Sequence, residues 1–326
     1  MAASKLFIVI PCYNEQEVLP ETSSRLRQKL QTLVQQVKIH ADSRVLFVDD
    51  GSSDRTWAMI ERLHREDPVF CGLKLSRNEG HQKALLAGLM EAKKHADAVV
   101  SMDADLQDDI EVIDKFLEEY AKGCDVVYGV RSSRKTDSFF KRNTALGFYR
   151  FMKRMGVEIV ENHADCRLMS RRALEGLERF SEVNLFLRGI VPLIGYPSAV
   201  VTYERSERFA GESKYPLKKM LAFAFDGITS FSTKPIRFIT LLGFLVFAAS
   251  LGVLAYTFIR KWMGATVEGW AFLSCSIWMI GGVQLLSLGI IGEYVGKVYA
   301  ESKRRPPYLV EKYLEGETAS ENGGNK

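Results

Sequence analysis

The chain is 326 residues long, 47% hydrophobic, and carries a formal net charge of +4. That length holds one large α/β domain plus a smaller appended element, and so mild a charge gives no footprint for nucleic acid. Five scattered cysteines (Cys12, Cys71, Cys124, Cys166, Cys275), odd in number and without metal-ligand spacing, fit reduced thiols in a cytosolic setting.

No signal peptide is expected at the start, because the apolar run of residues 6–10 is only strand-length and meets Pro11 at once. The N-terminal domain is therefore expected in the cytoplasm. From there to about residue 130, short apolar runs alternate with amphipathic segments. Residues 6–10, 45–48, 70–75, 98–102 and 125–129 read as strands. Helical patterns lie between them, at roughly 16–38, 55–66, 80–95 and 110–121. The alternation predicts a Rossmann-like, mostly parallel sheet with helices on both faces, whose ligands sit beyond the carboxyl ends of the strands.

Each expected strand ends in a polar cluster. After the first comes Pro11-Cys12-Tyr13-Asn14-Glu15, in which Tyr13 offers a flat face for a base. The second is followed by Asp49-Asp50-Gly51-Ser52-Ser53-Asp54, a tight turn whose exposed carboxylate can accept from a nucleobase N–H or ribose hydroxyls. The third opens a helix with Ser76-Arg77-Asn78-Glu79-Gly80-His81-Gln82-Lys83, and a helix N-terminus favours anions. The fourth carries Asp103 and Asp105, which on a strand would point to one side and share a ligand. Oxygen donors of that kind suit Mg2+ or Mn2+, and the cation in turn suits the diphosphate of a sugar nucleotide. Turn chemistry and the cap of a helix near Ile110 explain an isolated Asp-x-Asp equally well. The fifth cluster ends in Arg131, whose guanidinium can hold a phosphate bidentately. Each cluster alone reads as a turn; five at one sheet edge read as a site.

These residues resemble the inverting glycosyltransferases of family 2, with the GT-A fold, and within them the polyprenyl-phosphate sugar synthases. The resemblance spans residues 5–305 and rests on the first, second and fourth clusters, on Ala164-Asp165-Cys166-Arg167-Leu168, and on Arg205-Ser206-Glu207-Arg208 leading into Gly211-Glu212-Ser213-Lys214-Tyr215. It implies that Pro11, Tyr13, Glu15, Val48 and Asp50 line the nucleoside. Asp103 then faces ribose or sugar beside Ala104, Asp105 and Gln107 hold the metal, and Arg131, Arg208 and Lys214 meet phosphates. Cys166 departs from the pattern, which has an aromatic there in many relatives. Asp165 has two readings: a base or orienting group at the sugar, or a structural partner of Arg167 or another cation.

The stretch 138–155 interleaves aromatic and basic residues and suits either an anionic lipid surface or a solvated helix on the domain. Phe209-Ala210-Gly211-Glu212-Ser213-Lys214 lacks the Gly-Lys-Ser/Thr ending of a P-loop. Residues 216–231 read as an interfacial helix. Residues 238–259 and 270–292 contain no Asp, Glu, Lys or Arg, and each reaches about 33 Å as a helix, against a hydrocarbon core of about 30 Å. They predict two transmembrane helices, with a buried helical hairpin as the competing reading.

Basic residues before the first span (Lys218, Lys219, Lys234, Arg237) and after the second (Lys297, Lys303, Arg304, Arg305) outnumber Arg260 and Lys261 between them, which predicts both termini in the cytoplasm. The expected organisation is a cytosolic catalytic domain (1–215), a juxtamembrane region (216–237), span one (238–259), a short extracytoplasmic loop (260–269), span two (270–292) and a cytosolic segment (293–326) with a disordered end. Glycines in both spans suit close helix contact, hence a homo-oligomer, with a tetramer among its forms.

The expectation is a multi-pass inner-membrane enzyme that moves a hexose from a nucleotide sugar to a polyprenyl phosphate. Glucose from a uridine diphosphate donor leads, with N-acetylglucosamine or mannose behind, undecaprenyl phosphate as the lipid, and Arg205 at the acceptor. A polysaccharide synthase on the same fold and a non-catalytic nucleotide-sugar-binding membrane protein are the other classes. The first lacks its usual Gln-x-x-Arg-Trp signature and additional spans here.

Overall fold

The computed structural model describes residues 3–105, 107–131, 163–182, 186–203, 234–263 and 269–315. These form two compact units, one built on a sheet and the other on two long helices. The sheet unit begins with β1 (Leu6–Cys12), α1 (Leu19–Gln35), β2 (Arg44–Asp49), α2 (Thr56–Glu66), β3 (Phe70–Leu75), α3 (His81–Ala92), β4 (Ala98–Ser101), α4 (Val112–Ala121) and β5 (Val126–Arg131). It continues with β6 (His163–Ser170), α5 (Arg171–Glu178), α6 (Leu187–Leu193) and β7 (Ser198–Tyr203), and the chain returns to it as β8 (Val310–Leu314).

The sheet order is β7-β5-β6-β4-β1-β2-β3-β8. β1 to β4 are parallel, and β6 runs antiparallel to both β4 and β5, so β5 and β7 point the same way as β1. β8 runs antiparallel to β3 at the edge. The mostly parallel sheet and its first five strands are as expected. Three further strands join them, and their sequences explain why they were not foreseen. Asp165 and Arg167 break the apolar run of β6, β7 (SAVVTY) shows neither a long apolar run nor a strict polar–apolar alternation in its sequence, and β8 (VEKYL) is the charged, half-exposed strand that suits a sheet edge.

Alternate side chains of the central strands enter opposite layers. Leu6, Ile8, Ile10, Val45 and Phe47 pack with Leu19, Leu26 and Leu33 of α1, Ile60 of α2 and Phe116 of α4. Phe47, Phe70 and Phe116 are fully buried, and each such side chain contributes about 1.5–3 kcal/mol. α3 covers the other face, where a Cβ on Gly88 would lie 2.4 Å from Val9 Cγ1 and 2.6 Å from Val48 Cγ2. That glycine lets α3 lie close to β1 and β2, and so sets the height of the helix N-terminus above the sheet edge.

The second unit contains α7 (Lys234–Trp262) and α8 (Trp270–Ser302), 29 and 33 residues long. Large apolar side chains point outward along both, among them Phe238, Phe244, Ile259, Met279, Leu285 and Val298. Each expected span lies within one of these helices, although both helices overrun the expected bounds. Among the described residues one stretch, Met279–Ser302, is long and apolar enough to cross a membrane. A Cβ at Gly243, Gly252, Gly281, Gly282, Gly289, Gly292 or Gly296 would meet nothing within 4 Å among the described residues. The basic-aromatic stretch 138–155 and the expected interfacial helix 216–231 lie outside the described residues.

Candidate functional site

Two corners of the sheet's carboxyl edge are built by different means. At the first, Pro11 and Val48 are register partners, both buried, at the ends of β1 and β2. Beyond them Asn14 takes a left-handed backbone (φ 55°) and laces the two loops together. Its N–H donates to Ser52 Oγ (3.0 Å), while its Oδ1 accepts from Ser53 N–H (2.9 Å). Glu15 N–H donates to Thr56 Oγ1 at 2.9 Å. Tyr13 is 49% exposed.

Asp50 is buried, and its two oxygens accept from Glu79 N–H (2.8 Å) and Gly80 N–H (2.9 Å). The carboxylate expected to be exposed thus holds the β3–α3 turn against β2. Burial pushes its pKa up, and the two backbone donors only partly oppose that. Gly51 is required beside it, since its φ is +66° and a Cβ would lie 2.5 Å from Asn78 N.

At the second corner, β4 ends at Ser101, so Asp103 and Asp105 lie in the turn beyond the strand. This corrects the picture of two carboxylates on one strand face. Asp105 Oδ1 accepts from Gln107 N–H at 3.2 Å, and Ala104 O accepts from Thr22 Oγ1 at 2.8 Å, which pins the turn to α1. Asp108 Oδ1 accepts from Tyr203 OH at 2.6 Å, tying the same turn to β7. The Asp103 pKa is pushed up to about 6, first by burial and then by the charges of Asp108, Asp165 and Asp105, with His81 opposing.

Because β6 is antiparallel to β4 and places Arg167 opposite Ser101, Asp165 reaches this edge level with Asp103. Its Oδ1 accepts from Arg167 Nη2 (3.0 Å) and Arg188 Nε (3.1 Å), and its Oδ2 from Arg188 Nη2 (3.1 Å). His81 Nε2 lies 3.4 Å from Asp165 Oδ2 and 3.8 Å from Asp103 Oδ1. Burial alone raises the Asp165 pKa, but the His81 hydrogen bond and the charges of Arg188 and Arg167 outweigh it and hold the carboxyl well below the usual range. Of its two sequence readings, the pairing with Arg167 is present.

Pro11, Tyr13, Glu15, Val48, Asp50, Asp103, Ala104, Asp105, Gln107 and Asp165 all belong to the loops and strand ends of this edge, and Arg131 closes β5 there. Arg205, Arg208 and Lys214 lie outside the described residues. Sequence reasoning left Arg188 out, although a lone cation in the apolar run Phe186-Leu187-Arg188-Gly189-Ile190 signals a buried partner. His81 was visible only as one of several polar residues at a helix start.

The donor set at the second corner is all oxygen, which fits Mg2+ or Mn2+. The neighbouring acids, which add to the effect of burial in raising the Asp103 pKa, are charge a cation would relieve. Among the described residues no three His, Cys, Asp or Glu side chains converge to hold a metal unaided. A cation here would take part of its shell from substrate and water.

A mostly parallel α/β sheet with an acid-lined carboxyl edge is the GT-A arrangement of a sugar-transferring enzyme. The chain belongs to glycosyl transferase family 2, whose model matches residues 7–177, and it is a glycosyltransferase. A second model, GtrB C-terminal hairpin, matches residues 234–298, from the start of α7 to near the end of α8. The chain is 58% identical over 97% of its length to the uncharacterized glycosyltransferase YkoT of Bacillus subtilis (strain 168), covering 94% of that protein. It is 40% identical to the bactoprenol glucosyl transferase of Shigella phage SfV, over 94% of this chain and 98% of that one. Among solved structures, a mannosyltransferase from Pyrobaculum calidifontis aligns over 93% of this chain and 87% of its own at 15% identity, with a TM-score of 0.42, too slight a likeness to carry an argument.

Proposed function

We propose that this enzyme transfers a hexose, glucose foremost, from a uridine diphosphate donor to undecaprenyl phosphate at the cytosolic face of the membrane. The observation that carries the reading is the 40% identity, over 94% of the chain, to a bactoprenol glucosyl transferase. The acid-lined edge and the outward-facing apolar helices support it. In this reading α7 and α8 both span the bilayer, both termini are cytoplasmic, and the open glycine faces serve a homo-oligomer.

Tyr13 stacks on the base, Pro11, Glu15 and Val48 line the nucleoside, and Asp103 meets ribose or sugar. Asp50 acts on the nucleoside pocket by holding the Glu79-Gly80 turn. Asp105 and Gln107 would hold the cation, which would supply positive charge for the departing diphosphate. Arg131, Arg208 and Lys214 face phosphates and Arg205 the acceptor.

A phosphate monoester has its second pKa near 6, so the acceptor is largely dianionic at neutral pH. One acceptor oxygen bonds to the anomeric carbon, the bond from that carbon to the diphosphate breaks, and the configuration inverts. The nucleophile brings no proton to remove, so a strong base is unnecessary. What the chain must supply is positive charge against the repulsion of two anions.

The test is to incubate purified full-length protein with undecaprenyl phosphate, Mg2+ or Mn2+, and a panel of labelled nucleotide sugars. Label extracted into organic solvent supports the reading and identifies the sugar, while extraction from none of the donors overturns it. Asp105→Ala is expected to abolish transfer, and retained activity would remove Asp105 from the metal.

A further inference from the structure

The two loops of the first corner are laced by reciprocal bonds whose side chains, those of Asn14, Gln16, Ser52, Asp54 and Thr56, serve neither donor nor metal in the proposed reaction. Three successive backbone N–H groups of the β1–α1 loop donate to side chains of the β2–α2 loop: Asn14 to Ser52 Oγ at 3.0 Å, Glu15 to Thr56 Oγ1 at 2.9 Å and Gln16 to Asp54 Oδ2 at 3.3 Å. Two bonds run the other way, from Ser53 N–H to Asn14 Oδ1 at 2.9 Å and from Arg55 N–H to Gln16 Oε1 at 3.2 Å. Tyr13 stands at the head of this lace. The carbonyl of Cys12 before it accepts from Asp50 N–H at 2.9 Å, and the N–H of Asn14 after it is the one given to Ser52. Both peptide units that flank the tyrosine are therefore fixed to the second loop, while its side chain stays half-exposed. The left-handed backbone at Asn14 (φ 55°) turns the chain between these anchors, and asparagine is among the few residues that adopt it readily.

We propose that Asn14 and Ser52 are positioning residues for the nucleoside: together they hold the peptide that carries Tyr13, so that its ring meets the base from a backbone already in place. The inference rests on the reading of Tyr13 as the residue that stacks on the base. Ordering a loop at the moment of binding subtracts from affinity, and a backbone ordered beforehand avoids that loss. Asn14 acts twice, through its own N–H to Ser52 and through Oδ1 to Ser53, and alanine there would give up the second bond and disfavour the left-handed turn that aims the first. In a sugar nucleotide, ribose and diphosphate separate the base from the bonds that form and break, so the ring holds it equally in the ground and transition states. Loosening the lace should thus raise the donor KM and leave kcat in place.

The experiment measures the affinity of full-length protein for UDP-glucose with Mn2+, the donor KM and kcat for transfer to undecaprenyl phosphate, and the thermal midpoint. The variants are Asn14→Ala, Ser52→Ala, Tyr13→Ala and the double substitution Tyr13→Ala with Asn14→Ala. Asn14→Ala is expected to weaken donor binding about tenfold and Ser52→Ala about threefold, each with kcat within about twofold of wild type. In the Tyr13→Ala background, Asn14→Ala is expected to cause little further loss, because no ring is left to place. A double variant whose loss is the product of the single ones overturns the proposal, as does wild-type affinity in Asn14→Ala, or a fall in kcat with the donor KM unchanged. Should Asn14→Ala lack a cooperative melt, Ser52→Ala takes its place in the cycle. Coupled donor binding without transfer to the lipid sinks the acceptor reading alone; uncoupled losses with wild-type transfer intact sink this inference alone. Wild-type protein that binds no UDP-glucose removes both.

Discussion

Asp50 and Asp165 are both buried carboxylates at the same edge of the same sheet, yet they are satisfied by opposite means. Asp50 receives two backbone N–H groups, and burial still pushes its pKa up. Asp165 receives two guanidiniums and an imidazole, and despite burial its pKa is held well below the ordinary range. The contrast teaches that an acid at a strand end is not a functional class. One braces a turn through the backbone; the other organises charged side chains.

The strongest way to break the contrast is to remove a partner from the charged corner. Arg167 is fully buried, and Arg167→Met is expected to cost about 3–5 kcal/mol by leaving Asp165 short of a buried counter-charge, read as a lower denaturant midpoint. A smaller effect is expected at the other corner. Asp50→Asn keeps one acceptor but turns an amide toward the second backbone N–H, a loss of about 1–3 kcal/mol, measured in the same way.

Acid sharpens the comparison, because the two pKa directions give opposite signs. Asp165, depressed in the folded state, contributes stability that is present above the unfolded carboxylate pKa and lost as pH falls through its lower folded value. Asp50, raised in the folded state, binds its proton earlier there than in the unfolded chain, so acidification toward the unfolded pKa favours folding at this site. Denaturation midpoints followed from pH 7 downward should therefore fall less steeply in Asp165→Asn than in wild type, and more steeply in Asp50→Asn. The smallest change is expected from Tyr203→Phe, which removes the neutral donor to Asp108 and should cost about 1 kcal/mol.

Much of this architecture was legible in the sequence where one physical rule dominates. Strands buried on both faces read as unbroken apolar runs, so β1 to β5 were visible. Hydrophobic periodicity placed α1 to α4 within a few residues of their observed ends. β6 was hidden because Asp165 and Arg167 sit in its interior, and a strand that buries charge mimics a loop. Asp50 was recognisable as a site-edge acid, but its backbone partners come from a turn 29 and 30 residues away, beyond the reach of any local pattern. The link from His81 to Asp103 and Asp165 joins three separate elements, and only the strand order brings them together.

The last described strand has a practical consequence. β8 pairs with β3, its Tyr313 ring stacks on His95, which stacks in turn on Phe7, and Lys312 and Glu311 make ion pairs with Glu61 and Lys74. Anyone trimming the gene at the end of α8, to remove the tail, would strip a protective rim and leave β3 as a bare template for other chains. Recombinant material cut there should clump, whereas a purification tag appended beyond residue 315 leaves that rim in place.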